Sequence, residues 1–316
     1  MRPIPTHQTP MRRRSTTLAN VLLTVAIVTS AVIVAAAAAD DAGVSYEQSI
    51  NDWHKGRIER LTSDDGYLSL VGLFPLEDGT HRFGSAPDND VVFPDKAPSH
   101  AGTVVVDGSR VTVAPAASVA ILHEGNAITR QLLVPDTEED TTLLTMGTLT
   151  FYLIERGGRL YIRLKDRESE TRRNFRGVER YTVSEQWRVK ARFERYDPPR
   201  TIRIPNILGY DYVEQCIGVF IFNIDGKEYR LEPASTIGAE WFIVFGDETC
   251  GRETYGGGRF VYVPAPDESG ITWIDFNKAY SPPCAFSPFA TCPLPHKENM
   301  MAVSILAGEK NAEIEH

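Results

Sequence analysis

Three glycine-bearing dipeptides, each set between runs of alternating apolar and polar residues, constrain this chain more than anything else in it. Asp107-Gly108 separates 103–106 from 110–113, Gly157-Gly158 separates 149–155 from 159–164, and Asp225-Gly226 separates 219–224 from 227–231. Such pairs accept the left-handed backbone of a two-residue loop, whose twist matches that of adjacent strands, so each predicts an antiparallel hairpin. The same period of two recurs at 90–93, 201–204, 241–245, 259–263 and 271–275. No strand–helix alternation and no internal repeat is visible, which excludes a doubly wound parallel sheet. The fold class that follows is mainly β, as antiparallel sandwiches or partly open barrels.

Ahead of the first strand, 44–62 carries Tyr46, Ile50, Trp53 and Leu61 on one stripe at helical spacing, which predicts a short amphipathic helix leading into the fold. Arg57 falls on the same stripe. Its alkyl stem can pack while the guanidinium reaches an edge; the alternative is an inward charge paired with an acidic partner in a site. A charged, glycine-bearing stretch at 168–177 interrupts the strand pattern. A border there divides the chain into an N-terminal helix and β module over 44–175 and a C-terminal β module over 176–316.

The chain opens with Arg12, Arg13 and Arg14, continues with an uncharged run over 18–39, and closes that run with five alanines before Asp40 and Asp41. Basic, then apolar, then small residues predict an export leader over 1–39, cleaved near Ala39 or kept as an anchor. The body of the chain is therefore expected in the periplasm or outside the cell, touching membrane only through an uncleaved leader. Residues 1–39 hold four of the 33 basic residues and none of the 42 acidic ones, so the remainder carries 29 against 42, a net charge of −13. Nucleic acid and anionic lipid are poor partners for such a chain.

All four cysteines, Cys216, Cys250, Cys284 and Cys292, lie in the exported part, and an even count in an oxidising compartment reads as two disulfides. Three pairings are possible. The favoured one joins Cys284 to Cys292, bracketed by prolines, and Cys216 to Cys250 in strand-rich sequence. By loop-closure entropy these contribute about 2.6 and about 3.8 kcal/mol. Cys284, Cys292 and His296 lack the close ligand pairs of structural zinc. No nucleophile elbow, phosphate-binding loop, dinucleotide fingerprint or His-Glu-x-x-His helix is present, so no metal and no cofactor is expected.

Several landmarks carry a family resemblance: 66–73 (GYLSLVGL), Arg163-Leu164-Lys165-Asp166, 254–260 (TYGGGRF), 275–280 (DFNKAY), Pro283-Cys284-Ala285-Phe286, Cys292-Pro293-Leu294-Pro295 and Ala307-Gly308-Glu309. Through them, residues from about 53 to 309 resemble the bacterial and archaeal family known as domain of unknown function 1684. The resemblance implies a shared fold and brings no activity. Within it, Phe83-Gly84-Ser85, 89–93, 99–102 and 146–151 follow the strand order of a forkhead-associated sandwich. The fold expected is thus a forkhead-associated-like sandwich followed by a second β sandwich or partly open barrel. Ser85 stands where the phosphopeptide readers of that family place a phosphate-binding arginine, so phosphothreonine reading is not expected.

The densest set of reactive side chains is Thr254, Tyr255, Arg259, Asp275, Asn277 and Tyr280, from sequence-adjacent strands. A guanidinium fork with carboxylate and phenol suits a small polar or anionic ligand, and Gly256, Gly257 and Gly258 let backbone approach or turn sharply. The plainer account is that Arg259 and Asp275 pair to fix strand register. A second candidate is the basic segment 156–203, with 15 Lys or Arg against 7 Asp or Glu, in which Arg163, Asp166 and the loop arginines Arg172, Arg173 and Arg176 stand out. Three functions compete on these residues: an exported binder of a small polar or anionic ligand, a hydrolase using Asp275 or Asp247 beside Arg259 and Tyr255, and an envelope assembly protein without a small-molecule site. The oligomeric state is open.

Overall fold

Helix α1 (Tyr46–Thr62) begins with Glu47 in its first turn and ends with Arg60 in its last, each charge favourable to the helix dipole. Its inward stripe buries Ile50, Arg57 and Leu61. The computed structural model describes residues 44–237 and 239–312, and the elements from Tyr46 onward form one unit. The expected leader lies outside the described residues. Among those described, no helix is long and apolar enough to cross a membrane.

Eleven strands follow, each short where its sheet turns: β1 (Leu70–Leu76), β2 (Gly79–Gly84), β3 (Val91–Val92), β4 (Gly102–Asp107), β5 (Arg110–Pro115), β6 (Leu122–His123), β7 (Asn126–Ala127), β8 (Gln131–Leu133), β9 (Leu144–Met146), β10 (Leu149–Arg156) and β11 (Arg159–Asp166). They form two sheets in the orders β1-β11-β10-β9-β6-β7 and β3-β2-β4-β5-β8, antiparallel throughout except for β2 with β3. Both sheets turn apolar residues onto one core, in which Phe83, Phe93 and Phe151 meet with ring centroids 5.3–5.6 Å apart. Burying each such ring contributes roughly 1.5–3 kcal/mol. These are the two sheets of the β sandwich expected within 44–175.

After a short helix α2 (Glu170–Asn174), the chain runs into β12 (Arg188–Pro205), β13 (Asp211–Ile224), β14 (Lys227–Leu231), β15 (Ser235–Ile237), β16 (Glu240–Phe245), β17 (Arg259–Pro264) and β18 (Ile271–Asp275). These make a four-stranded sheet, β14-β13-β12-β18, and a three-stranded one, β15-β16-β17. A second core collects Phe220, Phe222, Ile243, Phe245, Val261, Ile274 and Phe276. The tail beyond Asp275 stitches back through single bridges, Phe260 to Tyr280, Asn206 to Pro293, Gly246 to Met300 and Arg180 to Glu309.

Two of the three hairpin turns fall where the dipeptides place them. Gly157 and Gly158 have φ of +59° and +71° between the paired Arg156 and Arg159, and Asp225 and Gly226 have +50° and +78° between Ile224 and Lys227. The first is displaced by one residue: Asp107 pairs with Arg110, leaving Gly108 and Ser109 as the loop.

All four cysteines are free thiols in this structure. The expected Cys216–Cys250 pairing is corrected by their surroundings. Cys216 is buried against Ile202 and Ile204 with its thiol on the Gly218 carbonyl at 3.1 Å, whereas Cys250 sits beside Asp247 and Thr254. Cys284 and Cys292 do come together, as two thiols.

Candidate functional site

The six-residue cluster read from the sequence divides into three separate arrangements. Arg259 is fully buried, its guanidinium 2.9 Å from Asp247 and donating to the carbonyls of Ile305 and Ala307. Asp247 also accepts from the Thr249 hydroxyl and the Ile305 amide, both at 2.7 Å. Thr254, fully buried, hydrogen-bonds Thr249 at 2.8 Å. With its oxygens committed and no solvent path, Asp247 has no free lone pair for acid–base work beside Arg259. The close turn expected before Arg259 is real: Gly258 has φ +84°, and a Cβ there would lie 2.7 Å from the Phe245 carbonyl.

Asp275 and Asn277 form the second arrangement, which docks α1. The Tyr46 hydroxyl donates to Asp275 and the Asn277 amide donates back to Tyr46, each at 2.9 Å, while Asn277 spans Ser184 through both its amide and carbonyl. Asp275 thus pairs with Tyr46 instead of Arg259. On the same helix the Arg57 guanidinium reaches inward to Glu309 at 3.4 Å and to the Ser281 carbonyl at 2.9 Å, so the paired-charge alternative holds for it. Burial pushes the Glu309 carboxyl up, against the opposing charge of Arg57.

Tyr280 alone of the six lines a cleft, of about 1580 Å³, between the outer face of β10–β11 and the sheet of β15–β17. Register decides the first wall. Tyr152 pairs with Arg163 and Thr150 with Lys165, which puts all four side chains on the face opposite the sandwich core. The second wall is aromatic: Phe242, Phe260, Tyr262 and Tyr280, with Tyr262 and Tyr280 stacked at 6.1 Å and 19°. Trp53 and Arg57 of α1, with Tyr67, complete the rim, and the Arg57 guanidinium lies 4.6 Å over the Tyr280 ring.

Arg163 is the exceptional group in this cleft. It is 6% exposed, its Nη2 donates to Thr291 Oγ1 at 3.0 Å, and its Nε–H has no partner. Among the described residues no carboxylate lies within ion-pair distance of it. The neighbouring cations are satisfied: Arg156 holds Asp136 through two bonds of 2.5 and 2.8 Å, and Arg57 holds Glu309. Burial pushes the Tyr67 and Tyr152 hydroxyls up, and the Arg163 charge opposes it in both. Burial also lowers Lys165, with Asp65 opposing and the like charge of Arg163 adding to it. A buried cation without a counter-ion costs several kcal/mol, which an anion entering the cleft would relieve.

Asp166, singled out alongside Arg163 in the sequence, is turned away from the cleft onto Lys96 at 2.6 Å and lines a smaller recess. Two of the three loop arginines have partners in the fold. Arg172 donates to the Thr62 carbonyl and to Asp64, tying the end of α1, and Arg173 pairs with Glu168. Tyr152, Tyr262, Lys165 and Thr291 were not singled out from the sequence. The signal for the first and third was the alternation itself, since 150, 152, 163 and 165 are the polar positions of two apolar strands.

The C-terminal half of the chain, residues 173–310, matches the model of a family described as "Protein of unknown function (DUF1684)". The matched residues make up less than half of the chain. No curated protein matches the chain. Among solved structures, it is similar to an uncharacterized protein of Haloarcula marismortui, at 27% identity, covering 46% of this chain and 81% of that one with a TM-score of 0.38. It is also similar to the FHA domain of FhaA, solved with the intracellular domain of another protein, at 13% identity over 29% of this chain and 97% of that one, with a TM-score of 0.21. The cleft crosses the border of the matched segment, which supplies Phe260, Tyr262, Tyr280 and Thr291, while Tyr152, Arg163 and Lys165 precede it.

Also within the matched segment, Tyr255 packs against the apolar cluster that holds Cys284 and does not line the cleft. His296 lies away from the thiols and against Glu232 at 3.0 Å. Glu232, His296 and Glu298 bring three ligand-type atoms within 4.8 Å of one another. Glu232 already accepts from Tyr196 at 2.6 Å and from Arg200 at 2.8 Å, and that fixed positive charge weakens the case for a cation. Burial acts to raise the Glu232 carboxyl, but the bonds from His296 and Tyr196 and the Arg200 charge outweigh it and hold it below its ordinary value.

Proposed function

We propose that this protein is an exported binder of small organic anions, taking a carboxylate or phosphate on Arg163 and an apolar or aromatic body along the rings of Tyr262 and Tyr280. The observation that carries the reading is the Arg163 guanidinium, 94% shielded from solvent yet with one N–H unpartnered and, among the described residues, no carboxylate within ion-pair distance. A planar fork of this kind matches a carboxylate through two parallel bonds. The export half of the reading rests on the basic, apolar and small residues of the first 39 positions.

Calorimetric titration with a panel of aryl and alkyl carboxylates and phosphates tests the site. Arg163→Met should weaken the best binder by about 10- to 150-fold, the worth of a charge-assisted hydrogen bond of roughly 1.5–3 kcal/mol. Arg163→Lys should recover only part of that, since an ammonium cannot present the fork. Equal affinity in wild type and Arg163→Met would sink the reading. Amino-terminal sequencing of the protein recovered from cell fractions tests the export half, with Asp40 as the expected first residue.

A further inference from the structure

Cys284 lies in a proline-led turn, Pro283–Ala285, and Cys292 ends the loop that follows. The turn is fixed by the Ala285 and Phe286 amides on the Pro282 and Pro283 carbonyls, and the far end by the Ile207 amide on the Cys292 carbonyl at 3.0 Å. The Cys284 amide donates to Cys292 Sγ at 3.1 Å, which sets the two cysteines side by side in one buried cluster. Cys292 shares the large cleft with Arg163, and its neighbour Thr291 is the residue on which Arg163 rests.

We infer that Cys284 and Cys292 are a redox-active dithiol that exchanges with low-molecular-weight disulfides, and that its oxidation is relayed to Arg163 through Thr291. The dithiol stands on its own geometry; the relay rests on the reading of Arg163 as the anion site. Within the pair, the neighbouring Cys292 and Tyr255 hold the Cys284 thiol below its ordinary range against burial, while the neighbouring Cys284, together with burial, pushes Cys292 up. One sulfur is thereby the nucleophile and the other the resolving thiol.

The exchange balances with a disulfide such as oxidised glutathione as the oxidant. The Cys284 thiolate attacks one sulfur, the S–S bond of the reagent breaks and one glutathione thiolate leaves. That thiolate takes the Cys292 proton, and Cys292 attacks the Cys284 sulfur and expels the second glutathione as its thiolate. The protein loses two electrons, and the reagent gains them as one thiol and one thiolate. Closing the bond to about 2.05 Å draws Cys292, and Thr291 with it, toward Cys284 and off the Arg163 guanidinium.

The test equilibrates the full-length chain in mixtures of reduced and oxidised glutathione, alkylates it under unfolding conditions and maps each thiol by mass. Cys284 and Cys292 should lose their thiols together in one transition, while Cys216 and Cys250, which lack a thiol partner among the described residues, stay alkylatable. Cys292→Ser should trap glutathione on Cys284. No transition at any ratio, oxidation of all four thiols together, or an unmodified Cys284 in Cys292→Ser would overturn the dithiol. The relay is read with an aryl carboxylate as probe: its affinity should differ severalfold between the oxidised and reduced wild type and not at all in Cys284→Ser/Cys292→Ser. A dithiol that titrates without moving that affinity overturns the relay alone. A probe that binds neither state overturns the anion reading and the relay with it, and leaves the thiol map to decide the dithiol.

Discussion

Arg259 and Asp247 form an ion pair of 2.9 Å with no solvent exposure on either side chain. The pair joins the first residue of β17 to the tail, because Asp247 also takes the Ile305 amide and Arg259 the Ile305 and Ala307 carbonyls. Its role is to hold those segments together, and the charges satisfy one another in place.

Arg259→Ala should therefore cost about 3–5 kcal/mol, the penalty for leaving a buried charge unpaired, read as a lower denaturant midpoint. Replacing both partners by apolar residues, Arg259→Met with Asp247→Leu, should restore much of the loss. A single variant as stable as wild type would contradict the assignment.

The Tyr46–Asp275–Asn277 knot makes a different forecast. Asn277→Ala removes bonds to Tyr46 and Ser184 and should cost about 1–3 kcal/mol. The loss should be local, with faster amide exchange over 46–62 and unchanged anion affinity. Exchange that stays slow in the helix would show that Arg57 and Glu309 suffice to dock it.

Stability at low pH should report Glu232. Its folded pKa lies below the ordinary 4.5, so its contribution is complete above 4.5 and is lost as the pH falls through the folded value. Glu232→Gln should be less stable than wild type at neutral pH by roughly 1–3 kcal/mol, and the two melting curves should converge in acid. A gap of constant size from pH 7 to pH 3 would show that the Glu232 charge is not linked to stability and would overturn the assignment.

The aromatic wall separates ring from hydroxyl. Tyr262→Ala should weaken an aryl carboxylate by about 2- to 13-fold, corresponding to 0.5–1.5 kcal/mol for a ring–ring contact. Tyr262→Phe keeps the ring and should bind within twofold of wild type. Equal losses in both would move the recognition to the Tyr262 hydroxyl.

The hairpins were legible in the sequence because the turn is a local event: φ > 0 at two adjacent residues needs Gly, Asn or Asp whatever the rest of the chain does. Arg259 was legible as an important residue, but not its partner. Asp247 and Asp275 are both carboxylates near β17, and only the packing of the tail on that strand selects between them. The cleft was hidden for a related reason. Arg163 and Lys165 on β11 look like solvent-facing charges, and nothing within that strand announces that β15–β17 closes over them. Cys284 and Cys292 were legible as neighbours from their proline framing, whereas Cys216 and Cys250 fall in packing environments that no local pattern distinguishes.

The clasp on α1 has a consequence for the order in which this protein is made. Tyr46 and Arg57 wait for Asp275, Ser281 and Glu309, partners 229, 224 and 252 residues downstream. At ribosomal rates of about 5–20 residues per second, that delay is roughly 10–50 s. Until those downstream residues have been made, these polar contacts of α1 have no partners. The latch that holds the first described helix is thus written more than 220 residues downstream of the side chains it catches.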